Sequence, residues 1–277
     1  MPHKQIRYQF LLSEWLETTI LKEVFPYLET RGFDMEHDPD QPEYLLFDNY
    51  SLHDYFRLYP RGTGPELVSI FIAMEGVLPD YNLFDYCLAY WDANFSHLFA
   101  ERYFPFIHFD KRQASFLDHI MRPQPVPHIK EKFCNFLYSH PGVPERKSLF
   151  DALSAYKRVD ALGLYLNNTL QGINHNPESW CEDSIELKRP YKFSIACENT
   201  MVQGYATEKI WTSFVARTVP IYWGDPHIER CYNPQSFVNC HRYANFREVM
   251  ARVQEIDQDD RLWLEMVNTH PIQPEYE

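Results

Sequence analysis

The run KFSIACENTMVQGYATEKIWTSFVARTVPIYWGDPHIERCYNPQSFVN, Lys192 to Asn239, decides the fold. Phe193, Ile195 and Cys197 alternate with Ser194 and Ala196, which predicts a short half-buried strand ending at the polar pair Glu198 and Asn199. A loop containing Gly204 follows. Thr207 is placed as an N-cap, with Glu208 and Lys209 in the first turn and Ile210, Trp211, Phe214 and Val215 on one apolar helical face. Arg217 and Thr218 close the helix. Val219 to Trp223 is an apolar strand, Gly224 turns the chain, and Asp225-Pro226 stops the strand from continuing.

Strand, helix and strand in that order make a parallel crossover, and such sheets bind ligands beyond the carboxyl ends of their strands. Glu198, Asn199, Tyr205, Glu208 and Lys209 gather at that edge. Unpaired N–H groups and a partial positive charge at the helix start suit a pyrophosphate, and Lys209 adds a full charge. Glu208 cannot face a phosphate, but its two acceptor oxygens match a vicinal diol such as that of a ribose. The residues therefore point to a nucleoside diphosphate linked to a further group.

The words CEN, YATEK, VPIYWG and NPQSFVN, in fixed order and compatible spacing, resemble the donor-site signature of the α1,3/α1,4-fucosyltransferases of glycosyltransferase family 10. Cys197 stands where that family usually carries Phe.

The chain has 277 residues, enough for two domains, and its 45% apolar and 16% aromatic content suffices for packed cores. A net charge of −13 argues against an autonomous nucleic-acid binder or a protein held on anionic lipid. Six cysteines without a CxxC pair read as buried free thiols. No secretory signal or membrane span is evident. The resemblance implies the bacterial form of the family, which begins directly with its catalytic domain: cytoplasmic, at most peripheral at the inner membrane.

Working outward, Gln5 to Leu12 reads as a strand and Ser13 to Thr30 as a helix burying Trp15, Ile20, Leu21, Val24, Phe25 and Leu28. Residues 34 to 42 read as an acidic loop, and Tyr44 to Phe47 as a strand. Leu67 to Met74 is a nearly continuous apolar strand that delivers Glu75 to the sheet's carboxyl edge, and LFDYCLAY is another strand. Tyr81, Phe84 and Tyr86 would surround Glu75 with aromatic side chains, a setting suited to proton transfer near neutrality. The stretch FIAMEGVLPDYNLFDYCLAY resembles the family region whose matching Glu is the proposed general base; read from the residues alone, Glu75 equally ends a strand.

Alternating prolines in Arg122 to Pro127 predict an extended connection and the domain boundary. Lys132 to Ser139 reads as a strand. Pro144 opens a helix with a stripe of Leu149, Phe150, Leu153 and Tyr156, and Arg146 lies in its first turn. A guanidinium there suits a diphosphate, as Lys147 or Arg158 also would; the resemblance selects Arg146. Residues 170 to 190 read as a loop, Phe246 to Asn268 as one or two helices, and the acidic run 257 to 260 as a solvated face rather than a metal site.

The resemblance implies an α/β GT-B fold: two Rossmann-like domains with parallel sheets facing a cleft. Residues 1–127 would bind the acceptor and 128–277 GDP-fucose, with the last helices packing back on the first domain. It also implies an inverting α1,3- or α1,4-fucosyltransferase that needs no metal or other cofactor. Glu75 would be the base, Arg146 and Lys209 would hold the diphosphate, and Glu208 the ribose. Tyr205 would meet the diphosphate or fucose, and Glu198 and Asn199 would line the fucose pocket. The acceptor would be N-acetyllactosamine or a lipopolysaccharide glycan. Two alternatives stand: a transferase for another nucleotide sugar, and a silent nucleotide-sugar-binding module.

Overall fold

The computed structural model describes residues 3–60, 66–77, 80, 83–89, 103–105, 118–169 and 179–274. The chain divides into two compact units, Met1–His108 and Phe109–Glu277.

In the first unit the described strands are β1 (Lys4–Leu11), β2 (Phe33–His37), β3 (Tyr44–Asp48), β4 (Val68–Ile72), β5 (Tyr86–Ala89) and β6 (Tyr103–Pro105). They form a parallel sheet in the order β2-β1-β3-β4-β5-β6. The chain thus reverses direction across the sheet between β1 and β3, which creates a switch point there. The helical stretch after β1 is α1 (Glu14–Thr19), a wide π turn (Ile20–Val24) and α2 (Phe25–Thr30). Pro26 removes one amide donor from the regular ladder where the wide turn gives way to α2. Ile20 and Phe25 are buried as expected, whereas Leu21 and Val24 face solvent and Leu16 takes their place in the core. The π turn rotates the face, so an ideal 3.6-residue period misplaces those two. The Trp15 side chain lies outside the described residues. Residues expected as an acidic loop begin instead with β2, an edge strand whose charged side chains stay wet because it pairs on one side only. Helix α3 (Leu52–Leu58) sets Tyr55 on Phe47 with ring centroids 4.3 Å apart, and Phe71 and Phe84 close this core.

The second unit holds β7 (Lys132–Phe136), α4 (Pro144–Ser154), β8 (Val159–Ala161), α5 (Trp180–Lys188), β9 (Tyr191–Cys197), α6 (Glu208–Val215), β10 (Val219–Trp223), β11 (Val238–Asn239), α7 (Phe246–Gln258) and α8 (Asp260–Asn268). The order is β11-β10-β9-β7-β8, again parallel, with the switch point between β7 and β9. The strand-helix-strand reading of 192–223 matches β9, α6 and β10. Strand β9, expected half-buried, is buried on both faces, since it is central and helices cover both sides of a parallel sheet. Residues 180–188 of the expected loop form α5, whose Cys181 and Ile185 pack on Trp211 and Val215 of α6. Helix α6 closes on Arg217, in the left-handed region at φ 56, with the Thr218 amide donating to the Ser213 carbonyl at 3.1 Å. Five cysteines are buried as expected; Cys231 is exposed.

The acidic run 257–260, which spans the junction of α7 and α8, is not all solvated. The Asp257 carboxylate is buried, 2.8 Å from Lys192 Nζ and 3.1 Å from Lys157 Nζ, and it accepts from the Tyr156 hydroxyl at 3.0 Å. Burial alone would raise its pKa, but the hydrogen bonds from Lys192 and Lys157 outweigh burial and hold the carboxyl below its usual range. Asp257→Ala leaves the buried Lys192 ammonium without its carboxylate and is expected to cost about 3–5 kcal/mol in urea denaturation at pH 7. Because the folded carboxyl is more acidic than the unfolded one, that deficit is present above the unfolded value of about 4 and shrinks as pH falls through the folded pKa. A pH-independent deficit would show that Asp257 contributes packing rather than charge.

Candidate active site

Arg146 is the centre of the site. Pro144 at the first position of α4 and the left-handed Gly142, φ +60, fold the segment after β7 so that the Arg146 side chain runs back beneath the sheet edge. Only 3% of the residue is exposed. Its Nη1 donates to the His140 carbonyl (3.1 Å), and Nη2 to the carbonyls of Cys197 (3.2 Å) and Glu198 (3.3 Å) and to Asn199 Oδ1 (2.9 Å). The guanidinium carbon stands 4.1 Å from the Tyr138 ring centroid. Arg146 therefore bridges the carboxyl ends of β7 and β9, the two strands that flank the switch point. A Cβ on Gly142 would lie 2.3 Å from Nη1, so a side chain there would push the guanidinium from its place, and φ +60 favours glycine as well.

The start of α6 is built around Glu198, which is fully buried. Its carboxylate accepts from the Thr207 amide (2.8 Å) and hydroxyl (2.7 Å) and lies 3.1 Å from Lys209 Nζ. Thr207 is the expected N-cap residue by backbone, yet the carboxylate nine residues upstream satisfies its amide. Gly224 is required beside it, since a Cβ there would meet Glu198 Cγ at 2.4 Å. Lys209 also contacts Glu208 Oε1 at 3.1 Å. Burial works against the Lys209 ammonium, but Glu198 and Glu208 outweigh it and hold its pKa above the ordinary lysine value.

Between these elements lies a cavity of about 460 Å³, lined in part by Arg146, Asn199, Glu208 and Lys209. Four of the residues singled out in the sequence thus meet in one concavity. Glu198 and Tyr205 do not line it: Glu198 faces Thr207 and Lys209, and Tyr205 is buried, 2% exposed. The motif marks both positions but does not say whether a side chain faces ligand or protein. Sequence reading missed Tyr138, whose hydroxyl donates to the Ile195 carbonyl (3.0 Å) and accepts from the Cys197 amide (2.7 Å). It also missed the face of α5 that forms another wall, Trp180, Ser184, Leu187 and Lys188. Their spacing of four, seven and eight residues from Trp180 was the available signal.

Glu75 lies in the first unit, in the turn after β4, and is half-buried. The Tyr50 hydroxyl donates to its Oε1 at 3.0 Å; Tyr50 is 63% exposed, and burial together with the Glu75 charge pushes its pKa up to about 12. The Met74 amide donates to Asn49 Oδ1 at 2.7 Å, fixing the turn to the end of β3. Of the expected aromatic surround, Phe84 is in the core and Tyr86 is partly exposed, while Tyr81 lies outside the described residues. Among the described residues, no group of three or more His, Cys, Asp or Glu is placed to hold a metal, and no helix is long and apolar enough to cross a membrane.

The family model for glycosyltransferase family 10 (fucosyltransferase), C-terminal region, matches residues 127–269, more than half of the chain and all of the cavity lining. The chain belongs to glycosyltransferase family 10. It is 27% identical over 274 residues to the α-(1,3)-fucosyltransferase FucT of Helicobacter pylori, covering 86% of this chain and 53% of that protein. It is 31% identical over 238 residues to a putative fucosyltransferase of Acanthamoeba polyphaga mimivirus, covering 82% and 38%. The chain thus spans about half the length, or less, of these relatives. Crystal structures of α1,3-fucosyltransferase with GDP and with GDP-fucose align at TM-scores of 0.73 and 0.70 with 21% identity, covering 97% and 98% of this chain and 83% of theirs. That likeness shows the fold, GT-B, with its two parallel α/β units.

Glu198→Gln keeps the shape but removes the buried charge that Lys209 faces. It is expected to cost about 3 kcal/mol of stability in urea denaturation; an unchanged midpoint would mean that Glu198 is uncharged in the folded chain.

Proposed function

We propose that this family 10 member is an inverting fucosyltransferase that moves L-fucose from GDP-β-L-fucose to a hydroxyl of an N-acetyllactosamine-type or lipopolysaccharide glycan, in α1,3 or α1,4 linkage. The observation that carries the reading is the cavity at the β7/β9 switch point, where buried Arg146 and Lys209 converge on the start of α6. Two cations at a helix start, with its partial positive charge, suit a diphosphate. Relatives with α1,3-fucosyltransferase names, and a fold neighbour solved with GDP-fucose, supply the sugar.

In the proposed reaction Glu75 takes the proton of the acceptor hydroxyl as that oxygen bonds to the anomeric carbon. The bond from that carbon to the β-phosphate oxygen breaks, and configuration inverts from β to α. Positive charge grows on the fucose ring while negative charge builds on the departing GDP, where Arg146 and Lys209 meet it. Glu208, beside Lys209 at the cavity, is assigned to the ribose diol and Asn199 to fucose. Glu198 and Tyr205, assigned to the sugar and diphosphate from the sequence, act from behind: Glu198 orients Lys209, and Tyr205 supports the loop before α6. We assign acceptor recognition to residues 1–127 and the donor to 128–277. The setting is cytoplasmic, at most peripheral to the inner membrane, since a net charge of −13 works against strong attachment to anionic lipid.

Glu75→Gln is expected to lower transfer of labelled fucose from GDP-fucose by about 10²-fold or more while GDP affinity by calorimetry stays within about twofold. Undiminished turnover in that variant would remove Glu75 from the mechanism. Titration of the wild type with GDP-fucose, GDP-mannose and UDP-sugars separates this donor from others, and turnover with another nucleotide sugar alone would replace fucose in the reading.

A further inference from the structure

Lys188, at the end of α5, is a buried cation that the reaction above does not use. The residue is 6% exposed, and it lines the cavity. Among the described residues its ammonium donates to one hydroxyl, Thr212 Oγ1 at 2.7 Å, and no carboxylate lies within ion-pair distance. The Thr212 hydroxyl in turn donates to the Glu208 carbonyl at 2.5 Å. An ammonium has three donors, so two remain for another acceptor. Burial and the nearby Lys209 push the Lys188 pKa down to about 8, with Glu208 opposing them. A buried lysine with no carboxylate in ion-pair contact is costly unless something arrives to accept from it.

The position narrows what arrives. Thr212 lies one helical turn beyond Glu208 along α6, about 5–6 Å from the end that faces the diphosphate. The lining there is largely apolar: Trp180 and Leu187 share a face of α5 with Lys188, and Leu137 lines the same cavity. A diphosphate gains nothing from an indole and two leucines, whereas a planar base does, by stacking and by burial of its faces. Along a nucleoside diphosphate the order is phosphate, ribose, base. With Arg146 and Lys209 at the phosphates and Glu208 at the ribose, the base falls toward Lys188.

We propose that the Trp180, Leu187 and Lys188 end of the cavity is a base subsite, and that the Lys188 ammonium reads the carbonyl edge of an oxopurine. Guanine and hypoxanthine present O6 and N7, both acceptors, to such a donor. Adenine presents N7 beside an N6 amino group, which opposes an ammonium that can only donate. This inference rests on the donor-site reading of the same cavity, and it concerns the residue that sets base preference there.

The test is calorimetry of the chain with GDP, IDP and ADP. Wild-type protein is expected to bind GDP and IDP about tenfold or more tightly than ADP, because IDP keeps O6 and lacks only the 2-amino group. Lys188→Met, with thermal melting as the check that it folds, is expected to lose that preference by weakening GDP and IDP while leaving ADP within about twofold. Equal wild-type affinity for GDP and ADP overturns the assignment without recourse to any variant. So does a folded Lys188→Met protein that retains the preference, or one in which GDP, ADP and inorganic pyrophosphate all weaken alike, the last placing Lys188 on the phosphates. If wild-type protein binds none of the three nucleotides, the donor-site reading itself fails.

Discussion

A buried guanidinium holds the second unit's working edge together. Taking a charge out of water costs several kcal/mol unless its hydrogen-bonding capacity is met. Arg146 offsets that cost with three main-chain carbonyls, an asparagine oxygen and an aromatic face, drawn from the segment after β7 and from the end of β9 and the two residues beyond it, although its buried Nε is left without a partner among the described residues. Those are the strands on either side of the switch point, where a parallel sheet leaves an opening because successive crossovers leave in opposite directions. One side chain thus fixes the width of that opening. The absence of a side chain at Gly142 makes room for it.

A second buried charge sets the other wall. Glu198 leaves β9, turns away from the cavity and satisfies the Thr207 amide and hydroxyl, so that α6 begins at a defined place with Lys209 held in its first turn. Arg146 grips the main chain at Cys197 and Glu198, and Glu198 grips α6. Strand end, helix start and both cations therefore form one connected network, with few independent ways to move. An anion that enters the cavity meets positive charge already in position, which is how preorganised electrostatics lowers the cost of charge developing on a leaving group.

Much of this was legible beforehand. Alternation and helical spacing in 192–223 placed β9, α6 and β10 because three strong local signals agree there, and Pro144 and Arg146 were read correctly as a helix start. What failed did so for physical reasons. A short polar-looking segment hid α5, since Lys188 and Ser184 are buried by their place against α6 and not by their own hydropathy. Asp257 looked like part of a solvated acidic run because its partners Lys192 and Lys157 are 65 and 100 residues away in sequence. Glu198 and Tyr205 were legible as positions at the sheet edge, and the structure buries both, Glu198 against Thr207 and Lys209. A motif records that a residue is needed at the edge of a sheet, and only packing decides which way its side chain faces.

The most direct test of the central claim is a crystal structure of the chain with GDP bound. The diphosphate is expected within hydrogen-bonding distance of the Arg146 guanidinium, Lys209 Nζ and the first amides of α6, with the carbonyls of Cys197 and Glu198 still on Arg146. A diphosphate bound elsewhere, or one that reaches α6 while Arg146 stays turned wholly toward those carbonyls, would contradict it.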